Sequence, residues 1–476
     1  MKQVNILITF ILGCLLFFIA ETNGQAISND DYEGAKQAPN ILVLIADDWG
    51  YPNAGAYGDN VVQTPNFDRI AKQGVLFTNA FTTPSCSPSR ASLLTGQWPH
   101  QLEEGVHLKG FLNKEFPNYV ELLAKQGYAT GLSKKGWGPG KYQLGGYEHN
   151  PAGPTYPNFE TFFENKSTDQ PFCFWFGSHD PHRPYEKDSG IKSGRSAADV
   201  QVPAFLPDNS VVRGDILDYY HEIERFDHDV GEILAILEAA GELDNTLIVV
   251  TGDNGMPFPR AKANLYDTGT HIPLAISWPA RIKPAQLRAD FVSFVDLAPT
   301  FLASAGIQVP DAMTGTNLLS LMTGGKDVVK RDKMFVERER HAYVREGNVG
   351  YPSRGIRTKD FLYIRNFRSD RWPAGDPEIG TRRFGDIDKS PTKDYMMIHK
   401  DDPEIAPFFE RAFMKRPAEE LYDLTVDPDQ LTNVVGEKQY AAVRKQLSHE
   451  LNRWMQETND PRLNNGGDYL EDYPYQ

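Results

Sequence analysis

The sequence predicts an α/β fold in which helices flank a large, mostly parallel sheet. Through the first two thirds of the 476-residue chain, short apolar runs alternate with segments whose apolar residues recur at helical spacing. Apolar residues make up 40% of the chain, which is enough to fill a large core. After about Tyr343 this alternation stops, and we expect a smaller C-terminal α+β domain that contains an antiparallel sheet.

Local patterns predict the elements of the larger domain in order. Residues 40–46, NILVLIA, have the continuous apolar character of a buried strand, and residues 67–73 predict a short helix that Gly74 ends. Residues 215–240 carry apolar side chains at helical spacing and are followed by a glycine, which predicts a long helix. The next strand is predicted at residues 246–251, TLIVVT.

The C-terminal region has shorter patterns. Residues 355–367 are typical of half-buried antiparallel strand, residues 420–424 of a strand before a turn, and residues 441–458 of a closing helix. These patterns divide the chain into a leader at residues 1–24, a large α/β domain at residues 25–345 and a smaller domain at residues 346–476.

The first 24 residues have the form of a secretory signal peptide, with Lys2 ahead of an almost wholly apolar run at 6–20 and a polar end at 21–24. No later run is apolar for long enough to span a bilayer. We therefore expect an exported protein, periplasmic or secreted, without stable membrane association. Residues 11–14, ILGC, resemble a lipoprotein attachment site, but the apolar residues that follow favour an ordinary signal peptide.

Charge and cysteine content exclude two further classes. The formal net charge of −15 argues against nucleic acid or an acidic membrane as a partner, because both call for a basic surface. Beyond the signal peptide only Cys86 and Cys173 remain, which is too few for a disulfide framework. Cys173 lies in the apolar run FCFWF, which predicts a buried strand. A disulfide between the two cysteines is the alternative.

Residues 86–96, CSPSRASLLTG, are the most informative stretch. Pro88 suits the first turn of a helix, which would place Cys86 at a helix N-terminus, where free N–H groups favour an anion such as sulfate. The stretch resembles the signature of the type I sulfatases in the alkaline phosphatase superfamily. Other segments resemble a branch near the heparan N-sulfatases and the bacterial polysaccharide sulfatases.

The resemblance implies an alkaline-phosphatase-like fold and the activity of a sulfuric ester hydrolase. It also implies that a formylglycine-generating enzyme oxidises Cys86 to formylglycine, also called 3-oxoalanine. A disulfide to Cys173 would prevent this modification.

Two pairs of oxygen-bearing side chains follow predicted strands. Asp47 and Asp48 come directly after residues 40–46, and Asp253 and Asn254 follow the strand TLIVVT. Oxygen ligands at two strand ends, without His or Cys beside them, suit a hard cation such as Ca²⁺ or Mg²⁺. Alone, such a pair could instead be a turn or a helix cap. The resemblance implies that these four residues and the modified Cys86 hold one Ca²⁺ per chain.

The resemblance also implies roles for basic residues. Arg90, one helical turn after Cys86, would orient the formylglycine hydroxyl. Lys135, which the spacing favours over Lys134, and Lys262 would bind sulfate oxygens.

A histidine would complete the catalytic set. His182, in the loop SHDPHRP after the predicted strand that holds Cys173, would be the general acid for the leaving alcohol. Family members usually carry a histidine two places after the first sulfate-binding lysine, where this chain has Trp137. One formylglycine contact therefore has no assigned residue.

Further residues are candidates for contacts with the substrate. They are His179, His271, Arg340 and His341. His271 stands where the family commonly has an arginine. The segment ERERH, at residues 337–341, could line the pocket, or it could be the polar end of an edge strand.

The implied reaction has two steps. One hydroxyl of the hydrated aldehyde attacks sulfur while His182 protonates the leaving oxygen, and Lys135, Lys262 and Ca²⁺ stabilise the developing charge. The second hydroxyl then expels sulfate as the aldehyde forms again. The expected substrate is a sulfate ester of a sulfated carbohydrate, such as an oligosaccharide from an algal polysaccharide or a glycosaminoglycan, with the C-terminal domain contributing to its pocket.

Two alternatives remain at this point. One is a phosphodiesterase or phosphatase of the same superfamily, although those enzymes normally place Thr or Ser at the nucleophile position. The other is a catalytically silent protein that binds sulfated glycans and keeps the thiol of Cys86.

Overall fold

Two sheets organise the chain in a computed structural model that describes residues 38–325, 329–379 and 383–475. The strands are β1 (Asn40–Ala46), β2 (Val75–Phe81), β3 (Ala129–Lys134), β4 (Phe172–Gly177), β5 (Thr246–Gly252), β6 (His271–Ser277), β7 (Gln286–Ser293), β8 (Lys333–Arg338), β9 (Ser353–Thr358), β10 (Phe361–Asn366) and β11 (Glu419–Asp423). The α-helices are α1 (Pro65–Gln73), α2 (Cys86–Thr95), α3 (Tyr119–Lys125), α4 (Phe159–Asn165), α5 (Ser189–Lys192), α6 (Ser210–Ala239), α7 (Asp267–Thr270), α8 (Leu297–Ser304), α9 (Leu319–Thr323), α10 (Pro391–Ile398), α11 (Ala406–Phe413) and α12 (Ala441–Glu457).

The larger sheet has seven strands in the order β3-β4-β1-β5-β6-β2-β7. Strand β6 runs antiparallel to both β5 and β2, and the other neighbouring pairs are parallel. In the centre, Val43 of β1 lies opposite Trp175 of β4 and Val249 of β5. The predicted mostly parallel sheet is therefore confirmed.

Helices cover both faces of this sheet, as the continuous apolar character of its strands requires. Leu42, Leu44 and Ala46 of β1 pack in one core cluster with α1, α4 and α6. The alternate residues Ile41, Val43 and Ile45 pack in a second cluster with α2, α3, α8 and α9. Because successive side chains of a strand point to opposite faces, one short apolar run contributes to both cores.

The smaller sheet is antiparallel, with strand order β11-β10-β9-β8. Apolar side chains of α12 cover one of its faces. Its other face, through Met334, Val336 and Leu362, packs against Phe81 and Phe291 of the larger sheet. The sheet begins at Lys333, ahead of the predicted domain boundary after residue 345, and the chain from Pro39 onward forms one compact unit. That boundary stays a prediction.

Most predicted elements have close counterparts. Strand β1 has the predicted bounds, and α12 ends one residue before its predicted end. Helix α6 starts earlier than predicted, at Ser210, because the side chain of Asn209 accepts hydrogen bonds from the N–H groups of Val211 and Val212 and so caps the helix. The strand material at 355–367 forms the hairpin of β9 and β10.

Some sequence expectations concern residues outside this description. The signal peptide and the possible lipoprotein site at Cys14 lie outside the described residues. Within the described ranges, no helix has the length and apolar character needed to cross a membrane. Cys86 and Cys173 are both buried free thiols, so the alternative of a disulfide between them is wrong.

Candidate active site

The carboxyl ends of β1, β3, β4 and β5 meet at one edge of the larger sheet, and the predicted site residues lie there. Asp47 and Asp48 follow β1, Lys135 follows β3, and Asp253 follows β5. Ligands commonly gather at this edge in open α/β sheets.

Helix α2 brings the cysteine to the same edge. Cys86 is the first residue of α2, and Ser85 precedes it in extended conformation. The helix is buried along its whole length. Cys86 therefore stands where unpaired backbone N–H groups and the helix dipole favour a negative charge, as the sequence predicts.

Two glycines allow the loops at this edge to approach closely. A Cβ atom on Gly252 would lie 2.1 Å from the carbonyl oxygen of Trp49, and one on Gly177 would lie 1.6 Å from the carbonyl oxygen of Lys135. No other residue type fits these two positions without a shift of the neighbouring backbone. The close approach brings the residues that follow β1 and β3 against the ends of β5 and β4.

The structure assembles the predicted metal ligands. Ligand atoms of Asp47, Asp48, Cys86 and Asp253 all lie within 4.8 Å of one another, and all four residues are buried. Cys86 Sγ is 3.3 Å from Asp47 Oδ1, and the side-chain amide of Asn254 is 3.9 Å from Cys86 Sγ. The two oxygen-bearing pairs thus converge on the cysteine.

This cluster fits a hard cation. Asp48 Oδ2 is buried and has no hydrogen-bond partner among the described residues. Burial raises the pKa of the Asp48 carboxyl, and the nearby Lys262 only partly offsets this effect. A bound cation would supply the missing compensation. Three carboxylates and one amide are donors that Ca²⁺ and Mg²⁺ prefer.

The backbone holds Asp48 in an uncommon conformation. Its φ is +72°, in the left-handed region, which an aspartate tolerates better than most residues. Tyr219 of α6 fixes this loop, because its hydroxyl donates to the Asp48 carbonyl at 3.1 Å and accepts from the Gly50 N–H at 3.0 Å. A residue deep in the long helix therefore orients one of the candidate ligands.

Two lysines neutralise the carboxylates. Lys135 Nζ lies 2.5 Å from Asp47 Oδ2, and Lys262 Nζ pairs with Asp48 Oδ1. Burial opposes the charged form of Lys262, but Asp48 and the other acidic groups around it together outweigh burial and raise the pKa of the lysine well above its ordinary value. The neighbouring Lys134 points elsewhere and pairs with Asp229. The spacing argument thus selects the lysine that reaches the site.

Arg90 forms hydrogen bonds with Asp253 and with the loop that holds Lys135. Its Nε donates to Asp253 Oδ2 at 2.7 Å, and its Nη1 donates to the carbonyls of Lys135 and Gly136. The side chain is fully buried, and Nη2 has no hydrogen-bond partner among the described residues. Arg90 thus fixes Asp253 and the loop of Lys135 and keeps one free donor.

His182 has its imidazole oriented by the backbone. Its Nδ1 lies 2.6 Å from the carbonyl oxygen of Arg183, and because a carbonyl only accepts, Nδ1 carries a proton. The other nitrogen, Nε2, is 3.9 Å from Asp48 Oδ2. The imidazole is half-exposed, which leaves Nε2 available for a proton transfer to a bound molecule.

A large cavity opens onto these residues. Its volume is about 1030 Å³. Its lining includes Asp47, Cys86, Lys135, Trp137, His179, His182 and Lys262. The lining residues after 340, here called the C-terminal wall, are His341, Ala342, Arg383, Gly385, Ile387, Asp388, Lys389, Lys393, Asp394 and Met397. Residues after 340 therefore form part of the lining of this cavity, and the contribution of a C-terminal domain to a substrate pocket stays a prediction.

Trp137 occupies the position where family members usually carry a histidine, and its side chain contacts the backbone of α2. Its indole Nε1 donates to the carbonyl of Ser87 at 3.0 Å, and the side chain is buried against the cavity. The indole therefore supports the first turn of α2 beside Cys86.

An ion pair joins the His182 loop to α6. The sequence gave no signal for this contact. Arg183 binds Asp215 of α6 through two hydrogen bonds of 2.7 and 2.9 Å. The same carboxylate accepts from the Thr392 hydroxyl at the start of α10, at 2.6 Å. Asp215 thus sets the position of the general-acid candidate relative to α10.

Two of the predicted substrate contacts are not among the residues that line the cavity, and their role stays a prediction. His271 is stacked between Tyr51 and Phe81 and does not line the cavity, since its Nε2 bonds to the carbonyl of Thr78. Arg340 does not line the cavity either, and it donates to backbone carbonyls, among them that of Asn348. In both cases the side chain is already used to hold the local fold.

The other two candidates do line the cavity. His179 lies beside Lys135, and burial together with the charge of that lysine lowers the pKa of the imidazole. His341 Nδ1 is 2.9 Å from the hydroxyl of Ser85, directly before Cys86. Burial lowers the pKa of His341 to about 3, which keeps it neutral.

Comparisons with known proteins match two family models to this chain. The family model described as sulfatase matches residues 39–307, and the model described as N-sulphoglucosamine sulphohydrolase, C-terminal, matches residues 260–385. Human N-sulphoglucosamine sulphohydrolase is 31% identical over 470 residues, with 89% of this chain and 91% of the human protein covered. An ulvan-active sulfatase of Formosa agariphila is 29% identical over 483 residues, with 94% and 88% covered.

The fold is shared with solved structures. One of them is a protein in complex with its substrate, D-glucosamine-2-N,6-O-disulfate. It has a TM-score of 0.66 at 21% identity, and the match covers 91% of this chain and all of the other. At this identity the likeness concerns the fold alone.

Proposed function

Because the chain belongs to the sulfatase family and is a sulfuric ester hydrolase, we propose that it hydrolyses sulfate esters of a carbohydrate through a formylglycine formed from Cys86 and a bound Ca²⁺. One observation carries the proposal. Cys86 begins helix α2, faces the large cavity, and lies among the three carboxylates, the amide and the two lysines described above.

The two groups supply different chemistry. Hydrated formylglycine offers two hydroxyls on one carbon, one for attack on sulfur and one for the later release of sulfate. A Ca²⁺ ion held by Asp47, Asp48, Asp253 and Asn254 would neutralise sulfate charge beside residue 86.

The side chains of this protein supply the remaining functions. Lys135 and Lys262 stand on either side of the cluster and would bind the sulfuryl oxygens, whose negative charge grows in the transition state. Arg90 fixes Asp253 and keeps an Nη2 donor that has no partner among the described residues. His182 would deliver a proton from Nε2 to the leaving oxygen, since Nδ1 is held by a carbonyl.

Two observations support a sulfated carbohydrate as the substrate. The cavity is large enough for a saccharide, and cationic side chains outnumber acidic ones in its lining although the whole chain is acidic. Both curated relatives above are named for activity on sulfated sugars, N-sulphoglucosamine and ulvan.

We further propose a periplasmic or secreted enzyme that a formylglycine-generating enzyme matures. The support is the signal-like pattern of residues 1–24 and the stretch CSPSR at residues 86–90.

The test is sulfate release from defined substrates by protein produced together with a maturation enzyme. The panel contains algal and glycosaminoglycan oligosaccharides with O- and N-sulfate, an aryl sulfate and an aryl phosphate. We expect release from one class of saccharide, loss of release in Cys86→Ala, and retention in Cys173→Ala, which removes the other buried thiol. Faster cleavage of the phosphate would instead favour a phosphoesterase, and tight glycan binding without any release would favour the silent binding protein.

A further inference from the structure

The C-terminal wall carries a carboxylate that lacks a hydrogen-bond partner. Asp388 lines the cavity, and its buried Oδ2 atom has no partner among the described residues. Its nearest charged neighbour is Lys262, whose Nζ lies 3.7 Å from Oδ2. Such a separation is an ion pair without a hydrogen bond.

The carboxylate of Asp388 stands beside Lys262, the lysine to which the proposed function assigns sulfate binding. Burial opposes its charge, but the charges around it, led by Lys262 and then His182, together outweigh burial and hold the pKa of Asp388 below its ordinary value. A negative charge beside a sulfate-binding lysine repels a sulfated ligand, which costs binding energy. That cost is offset if the ligand donates a hydrogen bond to the carboxylate.

The position of Asp388 is built by its neighbours. Lys393 Nζ donates to the carbonyls of Phe384 and Ile387, at 3.0 and 2.7 Å, and so holds the loop that leads into Asp388. Two residues later, Ser390 caps α10 by accepting from the Lys393 N–H. The carboxylate is therefore presented on a fixed turn.

Asp388 also lies next to the general-acid candidate. Ligand atoms of Asp48, His182 and Asp388 lie within 4.8 Å of one another. When the leaving oxygen of a sugar is at His182 Nε2, the group on the neighbouring ring carbon therefore comes within reach of Asp388.

We propose that Asp388 is a specificity-determining residue whose carboxylate accepts a hydrogen bond from a hydroxyl or ammonium group on the sugar carbon next to the scissile sulfate. This inference rests on the proposed function. It explains why a binding site for anionic sugars keeps a carboxylate oxygen without a hydrogen-bond partner among the described residues on the C-terminal wall.

The rival role for Asp388 is structural, because its charge could merely hold Lys262. The two roles differ in their dependence on substrate. A substrate contact matters only for ligands that carry the donor, whereas a contact that positions Lys262 matters for every sulfate ester.

The experiment compares the mature protein with Asp388→Ala on four substrates. They are a saccharide that the unaltered protein cleaves, its analogues with the neighbouring hydroxyl removed or replaced by an amine, and an aryl sulfate. Asp401→Ala, an exposed carboxylate beyond α10, is the matched control. We expect Asp388→Ala to lower kcat/KM about 10- to 100-fold on the substrates with a donor. On the deoxy analogue and the aryl sulfate the change should stay within about threefold.

The outcomes separate the two proposals. An equal loss on all four substrates, or none on any, would overturn the role of Asp388 and leave the proposed function intact. If the unaltered protein cleaves the aryl sulfate but no saccharide, the proposed function fails, and the role of Asp388 in sugar recognition fails with it. Comparison of the hydroxyl and amine substrates shows which donor the carboxylate prefers.

Discussion

At the scale of single residues, two neighbouring lysines have different tasks. Lys135 turns into the site and pairs with Asp47, whereas Lys134 lies on the other side of the chain, pairs with Asp229 and contacts the ring of Phe176. Lys134 is the last residue of β3 and has a φ of +59°, and Lys135 follows it in the loop. A pair of adjacent residues of the same type therefore provides an internal control for the sulfate-binding role.

Replacing Lys135 by alanine should lower kcat/KM for sulfate release by about 100- to 1,000-fold, because a donor to the developing charge is lost. Lys134→Ala should stay within about threefold of the unaltered protein. Steady-state kinetics of the two variants on the same substrate provide the measurement. Comparable losses in both would exclude the assignment of Lys135.

At the scale of elements, helix α6 carries a carboxyl group that is costly to ionise. Glu222 lies beside Asp180, which belongs to the loop between β4 and His182, and Arg225 contacts both groups. Burial, and then the charge of Asp180, raise the pKa of Glu222 to about 7. At mildly acidic pH the carboxyl group of Glu222, beside the active-site loop, is therefore protonated.

The effect on stability has a defined sign. The ordinary pKa of Glu222 is 4.5 and the folded-state value is about 7, so between these values the folded protein binds a proton that the unfolded chain has lost. This contribution to stability therefore falls as the pH rises through that window.

Glu222→Gln removes the cost of the buried charge. We expect the variant to exceed the unaltered protein in free energy of unfolding by about 1–2 kcal/mol at pH 8 and to match it near pH 5, after allowance for partial solvation. Urea unfolding at the two pH values measures the difference. Glu232→Gln, an exposed position on the same helix, should show no such pH dependence, and an equal difference at both pH values for Glu222→Gln would refute the explanation.

Local patterns predict the elements that carry the chemistry. Strand β1 and the start of α2 at Cys86 follow from an apolar run and from a helix-start signal that includes Pro88, both confined to neighbouring residues. The sequence also predicts which strand ends converge, because parallel strands share one carboxyl edge.

Contacts between distant parts of the chain could not be predicted in this way. Arg183 and Asp215 are 32 positions apart, and Thr392 is 177 positions from Asp215, with no local pattern that couples them. Asp388 belongs to a turn whose position depends on Lys393 and on α10 packing against α6. Such positions depend on tertiary packing, and a single sequence does not show which distant residues pack together.

At the scale of the whole molecule, the fold concentrates opposing charges at one edge of an acidic protein. The chain carries a net charge of −15, yet Lys135 and Lys262 are both drawn to the carboxylates after β1. These ion pairs compensate much of the buried negative charge when no cation is bound, although the compensation of Asp48 is only partial. The protein should therefore fold without metal, and metal should add stability to a structure that already exists.

Removal of divalent cations with a chelator should abolish sulfate release and lower Tm without unfolding the protein at 25 °C. Added Ca²⁺ should restore both, with a stabilisation of about 2.7 kcal/mol when the ion is present at a hundredfold excess over its Kd. Asp48→Asn should lose most of this Ca²⁺-dependent shift. A shift of the same size in that variant would place the cation elsewhere.

The central claim is that Cys86 is converted to formylglycine and that the converted residue hydrolyses sulfate esters. Mass spectrometry of the tryptic peptide from Gln73 to Arg90 tests it most directly, on preparations made with and without a formylglycine-generating enzyme. The account predicts an aldehyde in place of the thiol at residue 86, in a fraction that rises in proportion to the rate of sulfate release. Full activity in protein that retains the thiol at residue 86 would contradict it.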